Sequence, residues 1–476
     1  MKRAVLLVAG PLAVLLTLLV PAPPSMSEPA WRVAGLAVWM ALWWLTGVVP
    51  LEATGLLPLV ILPLLGLGAL EAVAVSYADP VIFLFLGGFL IAAALERWEL
   101  HRRFASLTLR IVGTSPRRVV LAFLVTTGFI SMWISNTAAA VMMLPIAVAA
   151  TARMGGTTAG ERDPFTIAVM LAVAYGASIG GVATLIGTPP NAIFVANARE
   201  LAGVEITFAD WLPIGLALAV PLTVVCWLLL VAVFRVPAGA GPAGSDAPEA
   251  ARRLDSGERF VLGVFVLAAL AWVIRTPKQL GSVRLPGLTD VLPGLTDPGI
   301  GLLAALALFV VPLPRARYRT GLDWETARGV PWGILLLFGG GLTLAGAFAS
   351  SGLSGWIGER LHGLRGLPLP VMIAATATLF ALLTELTSNT ATAALAMPLM
   401  AGVAGGLGVA PAPLMLAAAL ACSMAFMLPV ATPPNAIVFG KGGMRVSDML
   451  RAGVLLDAVS VAVITLLVTL WAAWTT

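Results

Sequence analysis

The sequence predicts an all-α polytopic membrane protein made of two inverted-topology repeats. Three observations lead there. Hydrophobic residues make up 59% of the chain and charged residues 11%, with a mean hydropathy of +0.99, whereas a soluble globule carries roughly 25% charged residues. Apolar runs of about 20 residues, enough to cross a bilayer, recur along the chain, and the alternating short segments of an outer-membrane barrel do not. Last, a polar, helix-breaking pattern occurs twice in the same order. Ser135-Asn136-Thr137 has Ser131 before it and Pro145 after it; Ser388-Asn389-Thr390 has Thr384 and Pro398 at the same offsets. Downstream come Gly187-Thr188-Pro189-Pro190-Asn191 and Ala431-Thr432-Pro433-Pro434-Asn435.

Spans are expected near 4–20, 32–50, 54–70 and 80–96. Lys2 and Arg3 ahead of an apolar run imitate a signal peptide, but the topology needs this crossing, so 1–31 is read as an uncleaved N-terminal transmembrane helix. The first repeat occupies 32–235. Arg97, His101, Arg102, Arg103 and Arg110 then form a basic amphipathic piece. It reads as a helix in the headgroup layer or as a solvated cytoplasmic loop, on the inner side in either case. Residues 116–150 are apolar but interrupted at Ser135-Asn136-Thr137. Each arm has about 15 residues, short of the roughly 20 a crossing needs. They read as a re-entrant hairpin with the triplet at its tip, since broken backbone at membrane depth must be buried in protein or face a watery cavity. Span 165–198 is broken at 187–190, where two prolines remove donors and disfavour helix before them. Span 211–233 closes the repeat.

Residues 236–258, rich in Pro, Gly, Ala, Ser and charge, read as a cytoplasmic linker. The second repeat, 259–476, follows the same plan. It has spans at 260–275, 298–312 and 330–350, a re-entrant hairpin at 369–405, a broken span at 413–438 and a last span at 451–473. Residues 276–297 are an outer loop containing Pro286-Gly287-Leu288-Thr289-Asp290 and its near copy Pro293-Gly294-Leu295-Thr296-Asp297. Phe85-Leu86-Gly87-Gly88 matches Leu337-Phe338-Gly339-Gly340, one span ahead of each hairpin, and the glycines there would permit close helix approach.

The charge distribution supports this map. Of 28 Lys and Arg, seven (Arg32, Arg199, Arg275, Lys278, Arg284, Arg360, Arg365) fall outside, which leaves 21 inside. Five crossings per repeat is an odd number, so the repeats are inverted and the N-terminus is cytoplasmic. Inverted repeats with broken helices meeting at the midplane are a secondary-transporter signature. The basic pI marks topology rather than nucleic-acid binding. Cys226 and Cys422 fall in apolar spans and make no disulfide or metal framework.

No Lys or Arg occurs from Val119 to Ala152 or from Gly366 to Gly440, and neither triplet contains His, Asp or Glu. Catalytic triads, His/Cys metal cages and carboxylate pairs are therefore excluded at the triplets by residue type. Hydroxyls, amides and free helix-start N–H groups can hold an anion. Carbonyls released by a break, with hydroxyls and the Asn oxygen, can hold a hard cation such as sodium. One helix dipole contributes about 0.3–1 kcal/mol, up to ~2 when partly buried. Drying a carboxylate costs several kcal/mol. With no Arg to help, cations bound alongside are the source of the remaining compensation, which argues for coupled cation and anion binding. Glu385 either lines the pathway or snorkels to the outer surface. Glu52 and Glu96 read as inner-interface residues, and Trp43, Trp44 and Trp332 as belt or packing residues.

At these residues the chain resembles the divalent anion/sodium symporter family of sodium-coupled carboxylate and sulfate transporters. The resemblance rests on both Ser-Asn-Thr triplets, both Thr-Pro-Pro-Asn stretches, and Tyr77-Ala78-Asp79-Pro80 running through Gly87-Gly88 to His101-Arg102-Arg103. It implies eleven transmembrane helices, two re-entrant hairpins, and a homodimer with scaffold and transport domains working as an elevator in the inner membrane. The C-terminus would lie outside. By the same resemblance Ser135, Asn136, Thr137, Ser388, Asn389 and Thr390 contact substrate carboxylates, with Thr188, Pro189, Thr432 and Pro433 nearby. One sodium site would use Ser131, Ser135, Asn136 and Gly187; the other would use Thr384, Ser388, Asn389 and Ala431. Sodium is the coupling ion, and no organic cofactor or nucleic acid is implied. The hydroxyls at 131 and 384 favour symport over exchange, and Thr in both triplets favours C4-dicarboxylates such as succinate, malate and fumarate. The alternatives are a sulfate or tricarboxylate (citrate) transporter or a dicarboxylate exchanger of the same fold. A cation/proton antiporter would want a carboxylate at the break, and neither triplet has one.

Overall fold

The computed structural model describes residues 2–112, 115–154, 163–239, 253–280, 283–314, 316–360, 363, 366–441 and 443–475. The central 240–252 part of the expected linker lies outside the described residues. Among those described, eight helices are long and apolar enough to cross a membrane.

Helix α1 (Lys2–Leu19) packs on α2 (Glu28–Thr46). Ser27 caps α2 by accepting the Ala30 N–H, and Gly47, at φ 61°, ends it in the left-handed conformation. The expected span over 54–70 is not one helix. The chain forms α3 (Leu51–Thr54), α4 (Leu57–Leu64) and α5 (Leu70–Ala74), then a 3-10 turn at Val75–Ala78. Two prolines, Pro58 and Pro63, sit in the eight-residue α4, and Gly66 at φ 71° terminates it. The Tyr77 hydroxyl donates to the Gly55 carbonyl at 2.5 Å, fixing the gap between α3 and α4.

Asp79 caps α6 (Pro80–Arg97) through the Val81 N–H at 2.9 Å. The basic amphipathic piece is a helix, α7 (Leu100–Val112). Arg103 on it pairs with Glu258 at 2.7 Å, and Glu258 also accepts the Asp255 N–H at 2.8 Å. Burial, then the Arg102 charge beside it, pushes the His101 imidazole from 6.5 down to about 4. The folded protein therefore binds fewer protons here than the unfolded chain between those two values. Its contribution to stability is present above about 6.5 and is lost as pH falls toward 4. Thermal unfolding of His101→Gln over this range is expected to fall less with acidification than that of the unsubstituted protein.

The rest of the first half is α8 (Pro116–Ser131), α9 (Asn136–Arg153), α10 (Pro164–Gly181), α11 (Pro189–Ala202) and α12 (Phe208–Val233). The second half opens with α13 (Ser256–Ile274) and an antiparallel pair, β1 (Lys278–Leu280) and β2 (Val283–Leu285), in register Gln279 to Arg284. It continues with α14 (Asp297–Val310), α15 (Trp324–Ala327), α16 (Trp332–Ser351) and α17 (Leu353–Arg360). Helices α18 (Leu369–Thr384), α19 (Asn389–Leu407), α20 (Pro411–Cys422), α21 (Pro433–Phe439) and α22 (Val446–Thr475) then repeat the order of α8 to α12.

The duplicated Pro-Gly-Leu-Thr-Asp stretches have structural tasks. Asp290 accepts the Gly287 N–H at 3.0 Å and pairs with Arg284 at 2.7 Å. Asp297, buried, accepts the Phe208 N–H at 2.9 Å and so anchors the start of α12 across the halves. The matched glycines do bring backbones together. A Cβ on Gly87 would fall 2.6 Å from the Gly301 carbonyl carbon, and one on Gly340 2.7 Å from the Gly55 Cα.

Two helices form the centre. Every residue of α10 from Phe165 to Gly181 is buried, as is every residue of α20 from Ala412 to Cys422. A helix apolar on all sides belongs inside a protein or bundle. These two are the first arms of the two broken spans, so both breaks begin in the core. The halves are also joined there: the Tyr175 hydroxyl on α10 donates to the Phe426 carbonyl, beyond α20, at 2.8 Å.

Candidate functional site

Four helices begin around one cavity of about 670 Å³. They are α9, α11, α19 and α21, and their N-cap residues Ser135, Thr188, Ser388 and Thr432 all line it. Asn136, Thr137, Pro189, Asn389, Thr390 and Pro433 line it as well, with Gly187 and Ala431. Residues more than 240 positions apart are thus brought to one wall, and among the described residues no ionisable side chain lines it. The volume is in the usual range for a small-molecule site, roughly 300–1,000 Å³.

The helices start here for local reasons. The Ser135 hydroxyl accepts the Ala138 N–H at 3.2 Å, and Ser388 accepts that of Ala391 at 3.5 Å, as N-caps do. The first N–H groups of α9 and α19, from Asn136, Thr137, Asn389 and Thr390, have no partner within their own helices. α11 and α21 differ. Each starts with Pro-Pro, which has no N–H to donate. They contribute hydroxyls and a dipole end, while the triplets supply the N–H donors.

Behind each triplet lies a cluster of oxygens. Ser131 and Thr384 do not line the cavity; both are fully buried. The Ser131 hydroxyl donates to Asn136 Oδ1 at 2.8 Å, and the Thr384 hydroxyl lies 2.7 Å from Asn389 Oδ1 and 2.8 Å from the Cys422 carbonyl. One hydroxyl proton there faces two acceptors. In the first half, a Cβ added to Gly187 would fall 2.9 Å from the Ser131 carbonyl and closer still to that of Gly181. Each Asn therefore turns its oxygen toward a hydroxyl-and-carbonyl cluster, and its amide NH2 is left to donate elsewhere. Oxygen-rich clusters poor in protons fit a hard cation such as sodium.

The broken segments are longer than the Pro-Pro stretches alone. Helix stops at Gly181 and resumes at Pro189; it stops at Cys422 and resumes at Pro433. Asn191 and Asn435, both fully buried, hold these segments. Asn191 Nδ2 donates to the carbonyls of Gly181, Val182 and Thr184 at 3.2, 3.4 and 2.7 Å; Asn435 Nδ2 donates to those of Ala425 and Leu428 at 3.1 and 3.0 Å. They stand in the repeated Thr-Pro-Pro-Asn motif, but as organisers of the break rather than as lining. The sequence reading also missed part of the far wall: Thr46, Gly47 and Leu51 at the end of α2 and start of α3, with Phe89 and Ile334. Nothing in their local sequence marks them, since only tertiary packing brings them there. Trp44 lines the cavity too, buried, with its indole N–H donating to the Leu51 carbonyl at 3.1 Å. Glu385 does not snorkel: it is buried behind the second triplet and lies outside the lining.

Comparison with known proteins adds three findings. The family model described as the sodium:sulfate symporter transmembrane region matches residues 1–476. Sodium-dependent dicarboxylate transporters SdcS of Staphylococcus saprophyticus and Staphylococcus aureus are each 39% identical to this chain, over 474 and 475 residues, covering 97% of it and 90% of each relative. The crystal structure of the Alcanivorax borkumensis YdaH transporter superposes with a TM-score of 0.56 over 99% of this chain and 97% of that one, at 15% identity, a likeness of fold alone.

Proposed function

Because the chain belongs to the sodium:sulfate symporter transmembrane-region family, we propose that it is a secondary active transporter that carries a C4-dicarboxylate with sodium. The observation that carries this reading is the double duty of Asn136 and Asn389. Each sits at a helix start on the cavity wall with its oxygen turned to a buried hydroxyl. In this reading Ser135, Asn136, Thr137 and Ser388, Asn389, Thr390 bind the carboxylates of succinate, malate or fumarate, with Thr188, Pro189, Thr432 and Pro433 shaping the site. One sodium is held by Ser131, Ser135, Asn136 and Gly187, the other by Thr384, Ser388, Asn389 and Ala431. The names of the Staphylococcus relatives support both dicarboxylate and sodium.

The physical logic is charge compensation. Among the described residues no cation-bearing side chain lines the cavity, and helix ends supply about 0.3–2 kcal/mol each, less than a dried carboxylate needs. Sodium in the clusters behind each Asn neutralises the guest without competing for its N–H donors. The two hairpins at 116–150 and 369–405 are re-entrant from opposite sides, within inverted repeats 32–235 and 259–476. Eleven helices cross, the N-terminus is cytoplasmic, and a homodimer works by elevator motion in the inner membrane.

Proteoliposome uptake of labelled succinate tests the proposal. An inward sodium gradient is expected to drive accumulation, and each net positive charge carried inward adds about 2.3 kcal/mol per 100 mV. Equal uptake with potassium alone would reject coupling. Unlabelled sulfate or citrate that competes better than malate would reassign the cargo.

A further inference from the structure

The cavity is covered on one side and open on the other. Leu386 and Val430 line it and are 71% and 79% exposed. Aligning the triplets and the Thr-Pro-Pro-Asn stretches makes Trp133 and Ile186 their counterparts. These two are covered. Ile186 is 5% exposed, its Cδ1 3.2 Å from where a Cβ on Gly88 of α6 would stand, and the Trp133 ring meets Phe265 of α13 edge-on at 4.9 Å. On the open side the wall includes Thr46 at the end of α2 and Ile334 at the start of α16. Away from it α11 runs on between α6 and α16, where Ala192 and Ala196 share one small void with Val81, Ile82, Phe338 and Gly341. That packing ends in charge. Arg199, in the last turn of α11, pairs with Asp79, whose other oxygen caps α6 through the Val81 N–H at 2.9 Å. Beside it Glu200 reaches α16, where a Cβ on Gly346 would fall 3.0 Å from Oε1. Ten residues separate Asp79 from Phe89 on the cavity wall and eleven separate Arg199 from Thr188, so the pair stands about 15 Å from the cavity. Gly346 lies twelve residues past Ile334, about 18 Å along α16, which puts the pair on the covered side.

We propose that Asp79 and Arg199 form a one-sided latch. It holds the arrangement in which the cavity opens past Leu386 and Val430, and it must part before the cavity opens past Trp133 and Ile186. This rests on the transport reading above, in which the two sides open in turn. For the second opening, Ile186 has to leave Gly88 and α11 has to shift along α6, which carries Arg199 away from Asp79. The repeat shows why the latch acts on one side alone. The Gly-Gly match sets Pro331 opposite Asp79, each the N-cap of its helix, and the Thr-Pro-Pro-Asn match sets Gly443 opposite Arg199. When the halves exchange roles, those positions offer no charges to pair. The ion pair is therefore a contact that one arrangement has and the other lacks, and a difference of that kind sets the populations. The Arg199 side chain is 41% exposed and that of Asp79 12%. Partly screened pairs of this sort shift an equilibrium about two- to fivefold, not by orders of magnitude. The latch thus biases the resting state while leaving the cycle free to turn.

The test uses the purified full chain carrying one reporter cysteine, Val430→Cys or Ile186→Cys; the native Cys226 and Cys422 are buried. Labelling by a water-soluble maleimide, at fixed sodium and without any anion substrate, reads which side is open. Asp79→Asn removes the charge and keeps an oxygen to cap α6; Arg199→Gln removes the other partner. Each is expected to slow labelling at Val430→Cys and speed it at Ile186→Cys, changing the ratio of the two rates by about two- to fivefold. Arg199→Lys, which keeps the charge, is expected to bring the ratio back toward the unsubstituted value. An unchanged ratio in both Asp79→Asn and Arg199→Gln would overturn the proposal. So would rates that rise together at both cysteines, because a merely loosened fold exposes both sides alike. A second measurement stands even where those variants do not fold. A cleavable thiol cross-linker joining Asp79→Cys to Arg199→Cys is expected to stop succinate uptake until it is cut, and full uptake with the bridge closed would overturn the latch. Labelling needs no transported anion, so failure of the transport reading is seen separately, as no uptake of succinate, sulfate or citrate by the unsubstituted protein.

Discussion

Asn136→Ala and Asn389→Ala are each expected to abolish sodium-driven uptake while the protein still folds. Each side chain serves two partners. Its oxygen accepts from a buried hydroxyl, Ser131 at 2.8 Å or Thr384 at 2.7 Å, and in the proposed reading its amide binds the anion. Removing it strands the hydroxyl and, in the proposed reading, deletes one ligand from the cation cluster and one donor from the anion site. At roughly 1–3 kcal/mol for each lost partner, the combined loss is about a hundredfold or more in binding. The fold survives because the caps are Ser135 and Ser388 rather than the Asn residues. Uptake of labelled succinate into proteoliposomes at matched protein density measures this, and uptake at the unsubstituted level by either variant would break the assignment.

Gly187→Ala is expected to raise the sodium concentration needed for half-maximal uptake severalfold, and Ala431→Gly to change it little. The two positions correspond between the halves, and at Gly187 a Cβ would meet two carbonyls, those of Ser131 and Gly181. The methyl group would occupy the space those oxygens surround and force them apart. At 431 the native residue already carries a Cβ. Sodium titration at fixed succinate separates the two variants. A normal sodium response in Gly187→Ala would remove Gly187 and its neighbouring carbonyls from the cation cluster.

Much of this site was legible in residue order. Polar triplets in apolar runs, repeated with matching hydroxyl and proline offsets, mark where α8 gives way to α9 and α18 to α19, because Ser caps a helix start and Pro-Pro cannot continue one. What stayed hidden depends on contacts distant in sequence. The 54–70 stretch is apolar enough for a span, but Gly55 is held against α16 and two prolines crowd α4, so it folds as short pieces. Glu385 reads as ambiguous because the partners that fix it are the Met427 and Leu428 N–H groups, 42 and 43 residues away. Asn191 and Asn435 stood in the motif, yet their work shows only once the unwound carbonyls they gather are seen. Thr46 and Gly47 carry no signal at all; α2 happens to end opposite the triplets.

The Tyr175 hydroxyl donates across the halves to the Phe426 carbonyl. Donor and acceptor come from different halves of the chain, so neither half alone satisfies both. Cut after the linker, the first would hold a hydroxyl, and the second a carbonyl, without its counterpart in an apolar interior.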